Sequence, residues 1–417
     1  MDEWILHIDG DGFFAYCEIA RFPHLKGKPV VVGEDRGIVC ACTYEAKALG
    51  ISRATPIFEV REKYPEVTIL SSHFELYNHY ADMLASLLQG EVDILERYSI
   101  DECFALKRFP IGTTKETMHA WLMDLKKRIQ RATGLTYSFG IARTKVLAKI
   151  ASKREKPDGC TVIDIADETE VLKTTDIKSL WGIGWRLGRR FERMNMKTAY
   201  DFYMWERSRV EKSFAQPTQE LWHELHGIRM FGIGHSNSHQ KSLQATRSFT
   251  PTTDNKSFVI AELLHNADIA FTRMRKHGLL TNAISIYLKT RDKKYLSTSM
   301  VLPHYTQNLL DVTALLSKEA RRLFQDGTKY RSTGITLWNL RPAAFVQDDL
   351  FGSQQSVLEK TTLMKAVDTI RHKHGRGSIS VLSTMSSVTR RKAQSASRKA
   401  KDHYIYGLPL AYLGEVK

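Results

Sequence analysis

The stretch Trp4-Ile5-Leu6-His7-Ile8-Asp9-Gly10-Asp11-Gly12-Phe13-Phe14-Ala15-Tyr16-Cys17-Glu18 decides the fold. It opens as a short apolar run of strand type, meets two aspartates, breaks at two glycines and enters an amphipathic helix at a Phe-Phe pair. A carboxylate at the end of a buried strand is costly to desolvate unless it holds a cation or is paired. Asp9 therefore points to a metal, and the glycines beside it let a ligand approach the backbone. Ordinary capping at a strand–turn–helix leaves the same pattern, so this stretch does not decide the chemistry alone.

A second stretch, Tyr98-Ser99-Ile100-Asp101-Glu102-Cys103-Phe104-Ala105-Leu106, supplies more acid. Residues 92–98 and 103–106 read as the arms of a hairpin, with Asp101 and Glu102 at its tip or on its second arm. Neighbours on a strand point to opposite faces, so both carboxylates serve one centre only where the backbone is irregular; otherwise they serve two ions. Three acidic oxygen donors from two remote segments suit Mg²⁺, which keeps waters and takes substrate phosphates as its other ligands. Two such ions roughly 3.5–4 Å apart clamp the attacking and leaving oxygens of a phosphoryl displacement.

A chain of 417 residues is too long for one core and predicts two to four domains. Hydrophobic content of 42% is that of a globular protein. No apolar run approaches the roughly 20 residues that span a bilayer. The acidic N-terminus runs straight into a strand, so no signal peptide and a cytoplasmic location are expected. Five cysteines lack zinc-finger spacing and read as reduced structural thiols. The excess of 61 Lys+Arg over 46 Asp+Glu favours a polyanionic partner, the plainer alternative being a basic surface that serves solubility.

Further along, residues 29–43 have a hairpin pattern, followed by a short helix over 44–50, then a helix and strand within 56–70. A helix over 74–88 carries Leu76, Tyr80, Met83, Leu84, Leu87 and Leu88 as its core stripe. Another over 115–132 carries Met118, Leu122, Leu125 and Ile129, with Lys126, Lys127 and Arg128 as a solvated run. A strand over 135–141 leads into a helical stretch over 142–152, where Arg143 and Lys145, near the helix start, face either an anionic ligand or solvent. The order strand, helix, hairpin, helix, strand predicts a sheet with helices on one face. Residues 166–231 turn helical around Trp181-Gly182-Ile183-Gly184-Trp185-Arg186. Gly182 and Gly184 between helical runs read as a helix–hairpin–helix whose amides hold a DNA phosphate, with Arg186, Arg189 and Arg190 adding charge. A polar linker over 232–240 precedes a second unit of strand, helix (258–277), hairpin (283–301), helix (309–324) and strand (331–340).

In its two acidic stretches the chain resembles the Y-family (UmuC/DinB) translesion DNA polymerases. Asp-Gly-Asp-Gly-Phe-Phe-Ala-Tyr-Cys-Glu (9–18) is similar to the family's first palm motif and Ser-Ile-Asp-Glu (99–102) to its second. The resemblance runs through nearly the whole chain. It implies an α/β (α+β) multidomain fold: a ferredoxin-like palm (1–28 and 70–165), small fingers (29–69) and a helical thumb with the helix–hairpin–helix (166–231). A linker (232–243) then leads to a second α/β domain, the little finger (244–345), and a C-terminal region (346–417).

The resemblance also implies roles. Asp9, Asp101 and Glu102 would be the catalytic carboxylates and hold two Mg²⁺, with the Gly10 carbonyl as a further ligand. Phe13 would pack beneath the incoming nucleotide, and Phe14 would lie under its sugar and exclude a 2′-hydroxyl. Tyr44, Lys47 and Lys149 would meet the triphosphate. Lys47 stands where the DinB branch has Arg, and Thr246 departs from the acidic residue of DinB proteins, so the chain leans towards UmuC. Arg247 begins a set of basic residues on the little finger that reach DNA. Gln347, Leu350 and Phe351 resemble the peptide that plugs a pocket of the sliding clamp, and residues 386–401 form a basic tail.

The function so implied is error-prone, template-directed DNA synthesis past lesions within the SOS response to DNA damage, without a proofreading exonuclease. Its partners would be primer–template DNA, deoxynucleoside triphosphates, the sliding clamp and a UmuD-like accessory subunit, with no membrane. The alternative is a non-catalytic DNA- and clamp-binding scaffold of a translesion complex. A nucleotidyl cyclase shares the palm fold but needs no helix–hairpin–helix.

Overall fold

The computed structural model describes residues 1–234, 240–343, 354–375 and 378–379. They fall into two compact units that divide within 235–239.

The first unit begins with β1 (Asp2–Gly10) and α1 (Phe13–Arg21). A small sheet follows, made of β2 (Val30–Val32), β3 (Ala41–Cys42) and β4 (Thr68–Leu70), with α2 (Tyr44–Ala48) and α3 (Ile57–Lys63) between its last two strands. It has a core of its own around Val31, Val39, Ile57 and Val60. Next come α4 (Phe74–Gln89), β5 (Ile94–Arg97), β6 (Glu102–Phe109), α5 (Lys115–Thr133), β7 (Tyr137–Ala142), α6 (Lys145–Arg154) and β8 (Cys160–Val162). The main sheet has the order β5-β6-β1-β7-β8, which places β1 at its centre.

Alternation along β1 divides two cores. Leu6 and Ile8 join Cys103, Ala105 and the buried line Tyr77, Ala81, Leu84 and Leu88 of α4, together with Met118, Leu122, Leu125 and Ile129 of α5. Ile5 and Phe104 face the other way, onto α6 and the helices that follow. The helices inside the strand, helix, hairpin, helix, strand order do lie on one face, α4 and α5 with α1 beside them, and α6, which follows that order, covers the opposite face. Gly140 lets α6 lie that close, since a Cβ there would sit 2.3 Å from the Ala148 carbonyl oxygen and the Ser152 nitrogen. The α4 stripe is also corrected: Tyr77 and Ala81 are buried, and Leu76, Tyr80, Met83 and Leu87 only partly so. Lys126 is no solvated residue. It is 8% exposed and pairs with Asp158.

The unit ends in short helices, α7 (Glu168–Thr174), α8 (Trp185–Arg193), α9 (Ala199–Tyr203), α10 (Arg207–Ser213) and α11 (Gln216–Leu225). They share the core of the α6 face through Leu172, Phe191, Phe202 and Leu225. Glu224, fully buried, ties this region to α6 by accepting from the amides of Val146, Met230 and Phe231.

The second unit comprises β9 (Leu243–Thr253), α12 (Lys256–Lys276), β10 (Leu279–Thr290), β11 (Tyr295–Thr306), α13 (Leu310–Leu323) and β12 (Tyr330–Trp338). The sequence places every one of these elements. Its sheet has the order β11-β10-β12-β9, with α12 and α13 packed on one face. A last helix, α14 (Gln354–His374), docks on α12 through Arg275–Asp368 (2.7 Å) and Arg371–Asp268 (2.9 Å). The clamp-type residues Gln347, Leu350 and Phe351 and the basic tail lie outside the described residues.

Candidate active site

Register does the first part of the assembly. Asp9 pairs with Glu102 across β1 and β6, so both carboxylates leave the same face of the sheet. Asp101 stands just outside β6, where the chain leaves strand geometry. There the amides of Tyr98 and Ser99 both donate to the Glu102 carbonyl, at 3.1 and 3.0 Å, and the Gly10 amide donates to the Asp101 carbonyl at 2.9 Å. This is the irregular backbone that lets neighbouring acids approach one centre. Asp9, Gly10, Asp101 and Glu102 all line one cavity of about 550 Å³.

The charges in this pocket are balanced by lysines. Lys156 Nζ lies 2.5 Å from Asp9 Oδ1, and Lys149 Nζ lies 2.8 Å from Glu102 Oε2. Burial raises the Glu102 carboxyl above its ordinary range. The hydrogen bond from Lys149 opposes that shift, and the charges of Asp9 and Asp101 add to it. A carboxylate that resists ionisation in isolation is a carboxylate with capacity for a cation. The set of three carboxylates and a backbone carbonyl in a half-open pocket fits a hard divalent ion that retains waters. His7 stands behind them, fully buried, and one ligand atom each of His7, Asp9 and Glu102 lie within 4.8 Å of one another. Its Nδ1 is 2.7 Å from Ser152 Oγ on α6, which ties the carboxylate strand to the lysine helix.

The same cavity is lined by Phe13, Phe14, Tyr44 and Lys47. Phe14 is backed by Tyr77, with ring centroids 4.4 Å apart and planes 11° from parallel, and by the edge of Phe74. Tyr77 in turn donates to the buried Glu18 carboxylate at 2.6 Å, so the wall behind Phe14 is fixed. Thr43 caps α2 by accepting from the Ala46 amide, and this sets Tyr44 on the first turn. Lys47 Nζ sits 3.8 Å above the Tyr44 ring. Burial, and then the charges of Asp11 and Asp9, push the Tyr44 hydroxyl pKa well up, so it stays a donor.

Other expected residues lie beside this cavity or away from it. Lys149 points at Glu102 and sits among the rings of Tyr98, Phe104 and Trp181. Arg143 forks onto Glu168 at 2.7 and 2.6 Å, and Lys145, 4% exposed, holds both oxygens of Glu96 at 2.8 Å. Neither takes up the solvent-facing alternative. Gly182 and Gly184 are exposed just before α8, with Arg186 exposed on its first turn. The segment before them is a 3₁₀ turn (Ile177–Ser179), shorter than the helical run expected. Arg190 turns to the Ser213 carbonyl and the Phe214 ring, while Arg189 lies over the exposed Trp185. Arg247 is exposed on β9.

Sequence reasoning missed Lys156 and Asp11. Lys156 opens the turn Lys156-Pro157-Asp158-Gly159, a breaker pattern straight after α6 that could have been read as a loop presenting a cation. Asp11 is fully buried and accepts from Ser138 Oγ and from the Asp158 amide, each at 2.8 Å.

Comparison with known proteins follows this geometry. Residues 8–153 match the family model of the impB/mucB/samB family, and residues 240–350 match that of its C-terminal domain, together more than half of the chain. The chain is 29% identical to DNA polymerase IV of Moorella thermoacetica over 89% of its own length and 93% of that protein. It is also 29% identical to DNA polymerase IV of Halorhodospira halophila, over 82% and 97%. Among solved structures, a Y-family DNA polymerase chimera of Dbh and Dpo4 matches with a TM-score of 0.69, covering 81% of this chain and 99% of that one at 22% identity. An insertion ternary complex of Dbh DNA polymerase matches with a TM-score of 0.54 at the same coverage and identity. These likenesses carry the multidomain fold of palm, fingers, thumb and little finger; they do not separate the UmuC branch from the DinB branch. The chain belongs to the impB/mucB/samB family, the Y family of translesion DNA polymerases.

Proposed function

We propose that this protein is a template-directed, error-prone DNA polymerase that copies past lesions by two-metal-ion nucleotidyl transfer. The observation that carries the proposal is the convergence of Asp9, Asp101 and Glu102 on a cavity whose other walls are Phe14, Tyr44, Lys47 and Lys156. Acids for a metal pair, a ring for a sugar and cations for a triphosphate are what the reaction requires in one place. Two Mg²⁺ bound there would activate the primer 3′-hydroxyl and stabilise charge on the departing pyrophosphate. The three carboxylates and the Gly10 carbonyl hold the ions, and Tyr44, Lys47 and Lys156 orient the phosphates. Phe13 supports the nucleotide and Phe14 rejects a 2′-hydroxyl. Lys149 acts here as the partner of Glu102, screening it beside the ions.

The domain limits in this reading are palm 1–28 and 70–165, fingers 29–69, thumb 166–231 and little finger 244–345. Gly182, Gly184, Arg186 and Arg247 grip the DNA backbone. Gln347, Leu350 and Phe351 engage a sliding clamp, a UmuD-like subunit is a further partner, and the setting is the cytoplasmic SOS response without proofreading. No helix among the described residues is long and apolar enough to cross a membrane.

Primer extension on undamaged, abasic and bulky-adduct templates tests the proposal. Extension that requires template, primer and Mg²⁺, and that disappears in Asp101→Ala, is the expected result. Equal inactivity of wild type and Asp101→Ala would instead favour the non-catalytic scaffold.

A further inference from the structure

Asp11 lies two residues beyond Asp9 and is more deeply buried, yet the polymerase reading gives it no task. Its carboxylate is fully enclosed and touches four groups. Ser138 Oγ donates to Oδ1 at 2.8 Å, and the Asp158 amide donates to Oδ2 at 2.8 Å. The Tyr44 hydroxyl lies 3.5 Å from Oδ1, and Lys156 Nζ lies 3.7 Å from it. The last three belong to two remote segments, and both present phosphate-binding candidates to the cavity.

The Lys156 turn needs such an anchor. Asp158 has φ of 58°, the left-handed region that a non-glycine residue adopts only when its surroundings hold it there. Those surroundings are Asp11 on its amide and Lys126 on its carbonyl and carboxylate. The next amide, Gly159, donates to Ser138 Oγ at 3.3 Å, so Asp11 and Ser138 together fix two successive peptide groups.

We infer that Asp11 is a positioning residue for the incoming nucleotide: one buried carboxylate sets both the Lys156 turn and the Tyr44 hydroxyl, and thereby the geometry of the triphosphate site. This rests on the polymerase reading and adds a residue to it. The inference has a sign that bare charge does not. A carboxylate beside a polyphosphate repels it, so removing the charge alone would tighten nucleotide binding. Removing an anchor that orients Lys156 and Tyr44 would weaken it. Asparagine keeps one acceptor oxygen and turns the other into a donor, so it can no longer accept from both Ser138 Oγ and the Asp158 N–H, and so acts on the anchor.

The test is steady-state single-nucleotide insertion by the full chain, with Asp11→Asn, Lys156→Ala and the double variant, and Ser138→Ala as a second way to loosen the anchor. For Asp11→Asn we expect KM for the dNTP to rise about tenfold while kcat falls less than about threefold. In the Lys156→Ala background the same change should add only about two- to threefold, because its effect through the Lys156 turn is already lost and the Tyr44 contact alone remains. Ser138→Ala should raise KM in the same direction by less, and it carries the test if Asp11→Asn does not fold. A folded Asp11→Asn or Ser138→Ala with unchanged or lowered KM overturns the inference, as does full additivity with Lys156→Ala. Calorimetric titration of a non-hydrolysable dNTP analogue with Mg²⁺ reads the same sign without turnover. Wild type that binds nucleotide but does not extend primers would count against the polymerase reading, while the shift in binding still judges Asp11.

Discussion

The two large sheets of this molecule are built from the same succession of elements, strand, helix, hairpin, helix, strand, and they close differently. In the first, the order β5-β6-β1-β7-β8 puts the N-terminal strand in the middle; in the second, the order β11-β10-β12-β9 leaves it at an edge. The first is covered on both faces, by α4 and α5 on one and by α6 and the later helices on the other. Among the described residues the second has its helices, α12 and α13, on one face. Its other face carries exposed Tyr295, Ser299 and Trp338 beside half-buried Ser285 and Tyr287, with hydrogen bonds from Trp338 Nε1 to Ser285 Oγ and between Ser285 and Ser299, each 2.8 Å. The difference suits the tasks that the proposed function gives each sheet. Acids that hold ions must be fixed and partly desolvated, which takes a central strand under a second layer. A face that meets a long ligand without reading it can stay wet, aromatic and rich in hydroxyls.

The largest expected effect is chemical and separates the sheets outright. Asp101→Ala should lower kcat for nucleotide insertion on the order of a thousandfold, whereas Trp338→Ala should leave kcat within about twofold. Rapid-quench single-turnover insertion measures both, and equal losses would break the division of labour. A structural counterpart comes from two close approaches. At Gly140 a Cβ meets α6 backbone, but at Gly334 it meets the Tyr287 ring at 2.3 Å, the end of a side chain that can swing. Gly140→Val should therefore cost about 2–3 kcal/mol and Gly334→Val about 1 kcal/mol or less, read by calorimetric melting. Reversed magnitudes would mean that the second layer on the first sheet is not tightly held.

Within the first sheet, Phe14→Ala should raise ribonucleotide insertion relative to deoxyribonucleotide by roughly ten- to a hundredfold, since a lost steric contact of this kind is worth a few kcal/mol at most. Competitive primer extension gives the ratio, and unchanged discrimination would remove Phe14 from the sugar site. On the open face of the second sheet, Lys289 donates to the Tyr295 hydroxyl at 2.7 Å and stands over its ring. Lys289→Ala should weaken primer–template binding only about three- to tenfold and flatten its salt dependence by about one charge. A titration at several salt concentrations would refute this if the slope did not move.

Most of the second sheet was legible, because its strands alternate and its helices carry clean stripes between turn residues. The acids of the first were legible for a different reason: a carboxylate ending an apolar strand needs an explanation, and two such strands supplied one. What escaped reading was the second layer. In α6, Val146, Leu147, Ala148, Ile150 and Ala151 are apolar all round, the signature of a helix covered on every side, yet Lys145 at its start fits a solvent-facing position equally well in the sequence. Lys126 was misread in the same way, although its spacing from Leu122 and Ile129 puts it on the buried face. Lys156 carries no periodicity at all. Its turn is fixed by Asp11 and by Lys126 on Asp158, contacts across more than a hundred residues in one case, which no local pattern records.

The smallest effect concerns how the layer over the first sheet responds to acid. His226, just after α11, stacks on Tyr203 at 4.0 Å and lies tilted against Trp222 at 3.8 Å, and its Nδ1 donates to the Trp222 carbonyl at 2.8 Å. Burial lowers its pKa below the ordinary 6.5, against the pull of that hydrogen bond. The unfolded chain therefore takes up a proton before the folded one does. Stability from this residue is fully present above about pH 6.5 and is lost as pH falls from there towards the lowered folded value. The layer that His226 belongs to also covers the acids, whereas among the described residues the second sheet has no such cover to lose. Melting followed from pH 7.5 to 5.5 should show a drop of about 1 kcal/mol or less from this site. His226→Phe, which keeps the stack and removes the proton, should remove that part of the drop. If wild type and His226→Phe lose stability in parallel over that window, the histidine does not couple this layer to pH.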